Sequence, residues 1–313
     1  AGHVMIDIEK PAVPELDPMP EWVRPGTIRF SWSAAADDLA VTYAFNQAGV
    51  ATDGIGFFDV TSHSLTGQAF DIGANPMIAT GEWTINAKVK AIDAVGNQSD
   101  WSAVRTVKTD ITLPTVVFTA EPSGTINDPR PTWEWEGTDA RSGIGHYLVQ
   151  LDDEPSFTTR DTMWTPASNL ADGEHILRVQ AVDVVGNVSE WLVSDAVVID
   201  TIPPAVPGIP EPEETPTKLT TPAWTWKASA GAASYNVYLD DEPIANVTEP
   251  EFTTADYATF GVAALAEGRH NMQVTALDEW GNESDMSGTG HVLVDLTPPE
   301  VPELDPLPPF TKA

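Results

Sequence analysis

The sequence predicts an all-β protein made of three antiparallel β-sandwiches in tandem. Two observations carry this prediction: a block of roughly 95 residues repeats along the chain, and apolar residues alternate with polar ones over short stretches within each block. Alternation with a period of two indicates half-buried strands. Short strands separated by Gly, Asn, Asp and Pro, in a unit of this length, are typical of a sandwich of about seven strands.

The repeat is clearest in a segment that begins with Ala and ends with Ser. It occurs at residues 91–99, 181–189 and 276–284, with Ala, Asp, Gly, Asn and Ser at the same places each time. A fixed period of this kind decides the architecture of a chain. Each block also closes on an Asp that is soon followed by proline. We therefore predict repeats at residues 1–110, 111–200 and 201–296, with the start of a following repeat or a tail at residues 297–313.

Tryptophan marks the second strand of each repeat. Trp32, Trp135 and Trp226 occupy equivalent places, and a second aromatic residue precedes each of them by two positions. Rings at alternate positions of a strand share one face, so we expect these side chains to pack in the sandwich cores rather than form a sugar-binding platform.

Charge and composition exclude several classes of function. The chain has 15 Lys and Arg against 47 Asp and Glu, a net charge of −32. Phosphate backbones and anionic lipid surfaces would repel such a chain, so neither nucleic acid nor membrane is expected as a partner. Cysteine is absent, which excludes disulfides and Cys-bound metals and leaves open what makes these small domains rigid.

These motifs resemble the bacterial Ig-like repeats of large surface proteins. The resemblance rests on the Tyr-x-Val strand at Tyr147 and Tyr235, the Ala-x-Asp-x-x-Gly-Asn-x-Ser loop and the closing Asp-x-x-Pro-Pro, and it covers nearly the whole chain. It implies extender domains of secreted adhesins of the repeat-in-toxin (RTX) type, outside the cell or on its surface, arranged as an elongated rod. Fibronectin type III domains are the nearest alternative, since they share the topology.

The first repeat departs from the common pattern. The interval from Trp32 to Asp93 is 61 residues, against 48 and 52 for the equivalent intervals in the other repeats. The excess falls around Asp53–Phe58 and Ser62–Ser64, where we expect a longer loop or an added edge hairpin. If one repeat binds a specific ligand, this is the candidate.

The repeated loop contains an Asp that turn chemistry does not require. Gly and Asn suit left-handed backbone angles, and Asn and Ser bond to the local backbone. In a sandwich of this topology, the loop between the last two strands lies at the end where the chain enters the domain. The Asp before the prolines should therefore meet the loop Asp and Asn of the next repeat, and Asp139, in the turn after the second strand, should join them.

Carboxylate, amide and backbone oxygens gathered in this way are the ligands that Ca²⁺ prefers, whereas Mg²⁺ retains more of its waters. The sequence thus predicts calcium at the junctions between repeats. An Asp that caps the turn without a cation is the alternative. Asp152–Asp153 and Asp240–Asp241 are interpreted as solvated turns, with a peripheral calcium site as the alternative. The predicted calcium ligands are Asp7, Asp93, Asn97, Asp110, Asp139, Asp183, Asn187, Asp200, Asp278 and Asn282.

Signals of catalysis are poor. The sequence has no nucleophile elbow, phosphate loop or His-Glu-x-x-His motif, and its conspicuous acidic pairs are repeated where a catalytic pair would occur once. His175 and His270 are repeat-equivalent and are interpreted as structural. We therefore predict a non-enzymatic monomer whose partners are the neighbouring repeats of the chain, with any surface, glycan or protein ligand bound through other domains. A ligand-binding module centred on the first repeat, and an accessory region of a secreted hydrolase, remain alternatives.

Overall fold

The computed structural model describes residues 6–51, 57–72, 78 and 80–303. The chain forms two compact units. The first comprises residues 1–122, 131–167 and 175–196, and the second comprises residues 123–130, 168–174 and 197–313. This division passes through the second predicted repeat, so the domain boundaries at residues 110 and 200 stay a prediction.

Short strands dominate the described chain. The α-helix α1 (Thr254–Thr259) and a 3-10 helix (Pro25–Thr27) accompany them. The strands are, in chain order, β1 (Trp22–Val23), β2 (Arg29–Ser31), β3 (Thr42–Ala51), β4 (Phe57–Leu65), β5 (Ala69–Asp71), β6 (Trp83–Ile92), β7 (Arg105–Thr109), β8 (Thr115–Ala120), β9 (Gly124–Ile126), β10 (Trp133–Thr138), β11 (Ile144–Leu151), β12 (Phe157–Thr159), β13 (Met163–Trp164), β14 (Gly173–His175), β15 (Leu177–Asp183), β16 (Leu192–Val193), β17 (Val197–Ile199), β18 (Glu211–Pro212), β19 (Trp224–Thr225), β20 (Ser234–Leu239), β21 (Glu242–Val247), β22 (Glu251–Phe252), β23 (Gly268–Leu277) and β24 (Gly290–Val294).

The strands pair into small sheets that are almost entirely antiparallel. In the first unit the sheet orders are β1-β7-β6-β3-β4, β2-β5, β13-β10-β8 and β12-β11-β15-β16. In the second unit they are β18-β19-β22 and β21-β20-β23-β24, together with β14-β17-β9, whose last β14 residue belongs to the first unit. The β1–β7 and β17–β9 pairs are parallel. The predicted all-β fold of antiparallel sandwich repeats is confirmed.

The aromatic residues of the second strands lie in the cores, as predicted. Trp32, Trp135 and Trp226 are buried, with 2%, 1% and 7% of their surface exposed. Their partners two positions earlier, Trp133 and Trp224 among them, are also fully buried. Burying two rings from one short strand supplies much of the apolar contact that a disulfide-free sandwich needs.

The extra length of the first repeat extends an edge hairpin. Strand β3 has ten residues and pairs with the nine-residue strand β4, which forms one edge of its sheet. The equivalent edge strand of the second repeat, β12, has three residues. The longer-hairpin prediction therefore matches the backbone, while residues 52–56 lie outside the described residues.

A serine after each repeated loop ties the loop to the preceding strand. Its hydroxyl accepts the N–H of the Ala that opens the motif, and its own N–H bonds to the carbonyl of the same Ala. The Ala N to Ser Oγ distances are 3.0 Å for Ala91 and Ser99, 3.0 Å for Ala181 and Ser189, and 2.9 Å for Ala276 and Ser284. These two hydrogen bonds fix the loop on its strand and so fix the position of the loop Asp.

In the part of the chain that the structure describes, no helix is both long enough and apolar enough to cross a membrane.

Candidate metal-binding junctions

The loop Asp of the second repeat organises its own turn. Asp183 is 2% exposed, and its Oδ1 accepts the N–H groups of Gly186 and Asn187 at 2.6 and 2.7 Å. Its Oδ2 accepts the Asn187 side-chain amide at 2.7 Å. Gly186 has a φ of +92°, which is the left-handed conformation that this turn requires. The Asp therefore stabilises the loop before any ligand is considered, as in the cation-free alternative.

The other two loops repeat this arrangement. The Oδ2 atoms of Asp93 and Asp278 accept the side-chain amides of Asn97 and Asn282 at 2.7 and 2.8 Å. Burial acts to raise the pKa of both carboxyl groups, but hydrogen bonds from the Asn and from the loop backbone together outweigh it, so each pKa lies below its ordinary value. Both groups are therefore ionised at neutral pH and able to bind a cation.

Each loop also holds the linker Asp that the sequence assigned to it. The Asn187 side-chain amide donates to the main-chain carbonyl of Asp110 at 3.3 Å. The corresponding distances are 3.2 Å from Asn97 to the Asp7 carbonyl and 2.9 Å from Asn282 to the Asp200 carbonyl. The same contact thus occurs at three places along the chain, and all nine predicted Asp and Asn residues of the linkers and loops take part in it or in the loop around it.

The junction at Asp110 gathers three carboxylates. One oxygen each from Asp110, Asp139 and Asp183 lies within 4.8 Å of the others. Asp110 is 0% exposed, and its Oδ1 and Oδ2 accept the N–H groups of Thr112 and Ser142 at 2.8 and 2.9 Å. These contacts place the linker, the second-strand turn and the loop around one point.

Asp139 leaves one oxygen unused. Its Oδ2 accepts the N–H groups of Arg141 and Gly143 at 2.9 and 2.8 Å. Its Oδ1 is buried and has no hydrogen-bond partner in the described part of the chain. A buried carboxylate oxygen without a donor is costly, and a cation would satisfy it.

The nearby arginines are engaged elsewhere. The Arg141 guanidinium pairs with the Glu82 carboxylate at 3.0 Å, and the Arg24 guanidinium donates to the Gly186 carbonyl at 2.5 Å. Glu82 also accepts the Thr112 hydroxyl. Three carboxylates so close together repel one another unless a positive ion lies among them.

The first junction contains a third carboxylate that the sequence analysis missed. Asp37 joins Asp7 and Asp93, with one oxygen of each within 4.8 Å of the others. A cavity of about 850 Å³ borders this group, and Asp7, Asp37 and Lys10 are among the residues that line it. A cation in solution can reach Asp7 and Asp37 through this cavity.

A repeated tyrosine shows how Asp37 and Asp139 correspond. The hydroxyl of Tyr43 accepts the N–H of Ala35, just after the second strand, at 3.0 Å, and the hydroxyl of Tyr147 accepts the N–H of Gly137, near the end of the second strand, at 3.1 Å. In both repeats the acidic residue follows that donor by two positions.

The third junction lacks an acid at this position. There the Tyr235 hydroxyl accepts the N–H of Ser229 at 3.0 Å, so the equivalent position is Gly231. Asp200 and Asp278 remain, yet among residues 6–51, 57–72, 78 and 80–303 only the first two junctions form a three-carboxylate group.

The Asp turns of the second and third repeats contain a contact that was not foreseen. Asp152 and Asp240 have φ values of 50° and 49°, in the left-handed region that Asp tolerates better than most residues. Their carboxylates bond to the Nδ1 atoms of His175 and His270 at 2.8 and 2.7 Å. The turns are partly exposed, as predicted, but they are also tied to the neighbouring strand.

His270 is expected to make stability depend on pH. Burial acts to lower its pKa, but the hydrogen bonds to the Asp240 carboxylate and the Ala266 carbonyl raise it by more than burial lowers it. The pKa therefore lies above its ordinary value of 6.5. The imidazolium–Asp240 contact therefore contributes fully below pH 6.5, and this contribution is lost as pH rises through the raised pKa. Because Asp240 is about half exposed, we expect about 0.5 kcal/mol. Thermal unfolding of His270→Gln should show a flatter pH profile above pH 6.5 than the parent, and an unchanged profile would contradict this.

Comparison with known proteins gives structural similarities only. No protein-family model matches the chain, and no curated protein matches its sequence. The FN1–FN3 domains of chicken CNTN1 are 13% identical, with 91% of this chain and 98% of that chain covered and a TM-score of 0.37. Fibronectin(III)-like modules of Clostridium thermocellum CbhA are 19% identical, with 60% and 94% covered and a TM-score of 0.36. Domains of titin are 11% identical, with 90% and 99% covered and a TM-score of 0.37.

Proposed function

We propose that this chain is a structural extender segment of a secreted bacterial surface adhesin, and that calcium ions at its junctions stiffen it. Its role is mechanical rather than catalytic: it holds a distal binding domain away from the cell. The observation that carries the proposal is the pair of three-carboxylate groups, Asp7–Asp37–Asp93 and Asp110–Asp139–Asp183.

The ligand chemistry supports calcium. Ca²⁺ takes six to eight oxygen ligands in flexible geometry, and a junction offers three carboxylates together with nearby main-chain carbonyls. Mg²⁺ demands a stricter octahedron and keeps several waters, which suits a densely built protein site less well. The alternative of a capping Asp accounts for the hydrogen bonds of Asp183. It does not account for the orphaned Asp139 Oδ1 or for three carboxylates that converge within 4.8 Å.

The position of these groups supports a mechanical effect. Asp110 lies directly before the proline-containing linker, while Asp139 follows strand β10 and Asp183 ends strand β15, both in the repeat after the linker. Proline already restricts the linker backbone, and a shared cation would remove much of the freedom that remains. Because the folded chain presents the three ligands together and the unfolded chain does not, calcium would also stabilise the fold by mass action. Calcium would thus supply stability that disulfides supply in other small extracellular domains.

Removal of calcium tests the proposal. At a free calcium concentration of about 100 times Kd, each occupied site contributes about 2.7 kcal/mol. We therefore expect excess EDTA to lower the melting temperature by several degrees, and X-ray scattering to report a smaller maximum dimension as the junctions bend. Mg²⁺ added after EDTA should restore neither quantity, whereas Ca²⁺ should restore both. Identical melting and scattering with calcium and with EDTA would overturn the calcium proposal.

A further inference from the structure

Two adjacent strands of the first unit carry lysines in an otherwise acidic chain. The outward positions of strands β6 and β7 carry Lys88, Lys90 and Lys108 and no carboxylate. Lys108 is paired with Glu21, so the excess positive charge comes from Lys88 and Lys90, in a sequence with 47 acidic residues against 15 Lys and Arg.

Two of these lysines share one aromatic ring. The Nζ atoms of Lys88 and Lys90 each lie 4.8 Å from the centre of the Trp101 ring. Lys90 also donates to the Gln98 side chain at 2.6 Å, which uses one of its three donors. The ring holds both ammonium groups near the protein surface, where burial of Trp101 is only partial.

Strand register extends this patch along the sheet. Lys108 pairs with Thr84 on β6 and with Trp22 on β1, and its Nζ lies 5.1 Å from the Trp22 ring centre. Thr84 is six residues from Lys90 on the same face, which corresponds to about 20 Å along the strand. Asn86 lies between them and accepts the Thr106 hydroxyl at 2.6 Å. The face is thus a strip with Lys–Trp pairs at both ends and amide and hydroxyl groups in the middle.

The fold does not require these residues. The places of Lys90 and Lys88 relative to the motif Ala are held by Gln180 and Arg178 in the second repeat, and by Thr275 and Gln273 in the third. The third repeat has Met286 in place of Trp101, since each follows its loop serine by two positions. Trp191 holds the Trp101 place in the second repeat but has no lysines beside it at these positions, so the combination of Lys88, Lys90 and Trp101 is specific to the first repeat.

We infer that this strip binds an acidic polysaccharide of the polyuronate class. Ammonium groups attract its carboxylates, the indole edges that the lysines leave open suit its sugar rings, and the Asn and Thr side chains bond to its hydroxyls. An open strip about 20 Å long suits several units of an extended polymer better than a small molecule in a pocket. Lys88 and Lys90 carry the charge, because Lys108 is paired with Glu21 at 2.7 Å. This inference is independent of the proposed calcium junctions.

The test is calorimetric titration of the full chain with a short oligogalacturonate at low ionic strength, in EDTA so that calcium neither bridges the sugar acids nor fills the junctions. We expect the double variant Lys88→Gln/Lys90→Gln to bind roughly tenfold more weakly, and Trp101→Ala to bind more weakly as well. The matched controls, Arg178→Gln and Trp191→Ala in the second repeat, should bind like the parent. Added salt should weaken binding, since the lysines are accessible to solvent.

Two further probes identify the class of ligand. A neutral malto-oligosaccharide of the same length should not bind, and an oligoglutamate of the same length should bind at least about tenfold more weakly than the oligogalacturonate. Equal binding of oligoglutamate would overturn the polysaccharide assignment in favour of an acidic protein. Absence of oligogalacturonate binding at low ionic strength, or equal affinity of the double variant, would overturn the site itself.

Discussion

Replacement of Asp183 by alanine is expected to destabilise the second repeat by about 3 kcal/mol, even without calcium. The carboxylate is almost fully buried and accepts two backbone N–H groups and one side-chain amide. Alanine would leave these donors without an acceptor in a site that water reaches poorly. Because a chain of several domains does not unfold in a single transition, hydrogen exchange of strand β15 is the suitable measurement. A loss of 3 kcal/mol corresponds to a protection factor lower by about a hundredfold.

Two matched variants separate the turn-capping role of Asp183 from a role in cation binding. Asp183→Asn keeps an acceptor for the backbone N–H groups, so in EDTA it should lose less protection than Asp183→Ala. In calcium the Asn variant should lose the additional stabilisation that the ion provides, since the charge is gone. Asp153→Ala, in an exposed turn of the same repeat, should leave β15 unchanged. If the amides of β15 were protected from exchange equally well in Asp183→Ala and in the parent, the stability of the loop would not depend on this carboxylate.

Local periodicity predicted the fold because the features that decide it are local. Alternation along β11 and β15 and the rings on β10 could be read without knowing any partner strand. The helix α1 could not be anticipated in this way, since it is six residues long and begins with a capping box at Thr253 and Asp256 rather than with a periodic apolar face. The stability of such a short helix depends mainly on the residues that cap its ends.

The approach of each linker Asp to a loop could be predicted because two constraints coincide, while the ion itself stays a prediction. The motif Asp and the closing Asp recur in every repeat, and the topology of a sandwich brings the two together. Asp37 was missed because turn lengths differ: it follows Trp32 by five positions, whereas Asp139 follows Trp135 by four. Asp37 and Asp139 fall at the same position when the repeats are aligned on the residue whose N–H donates to the Tyr hydroxyl. That hydrogen bond is visible only in the three-dimensional structure.

The His–Asp pairs left a signal in the sequence that was not used. The second and third repeats have both the Asp–Asp–Glu–Pro turn and the strand His, while the first repeat lacks the turn and has Trp83 at the His position. Two features that occur and disappear together indicate a contact. Asp152 and His175 are 23 residues apart, so their contact cannot be inferred from local sequence patterns.

Calcium titration is expected to fill two of the three junctions that the structure describes, and not the third. The number follows from the turn after the second strand, which supplies Asp37 and Asp139 to the first two junctions and Gly231 to the third. A site with one carboxylate fewer loses a full charge and two potential oxygen ligands from a cation that seeks at least six. The third junction, at Asp200, should therefore remain empty at calcium concentrations that saturate the others.

Removal of Asp139 tests this count at a single residue. Asp139→Asn should reduce the calorimetric stoichiometry from two to one, because it converts the second junction to the composition of the third while an amide still fills the space. Asp153→Asn removes the same charge from an exposed turn of the same repeat and should leave both sites intact, which also tests the peripheral site considered for that turn. Three equivalent ions in the parent chain would mean that the linker and loop residues suffice without the turn carboxylate. Unchanged binding by Asp139→Asn would mean that its unpaired Oδ1 faces no ion, and that Asp110 and Asp183 hold the ion of this junction without it.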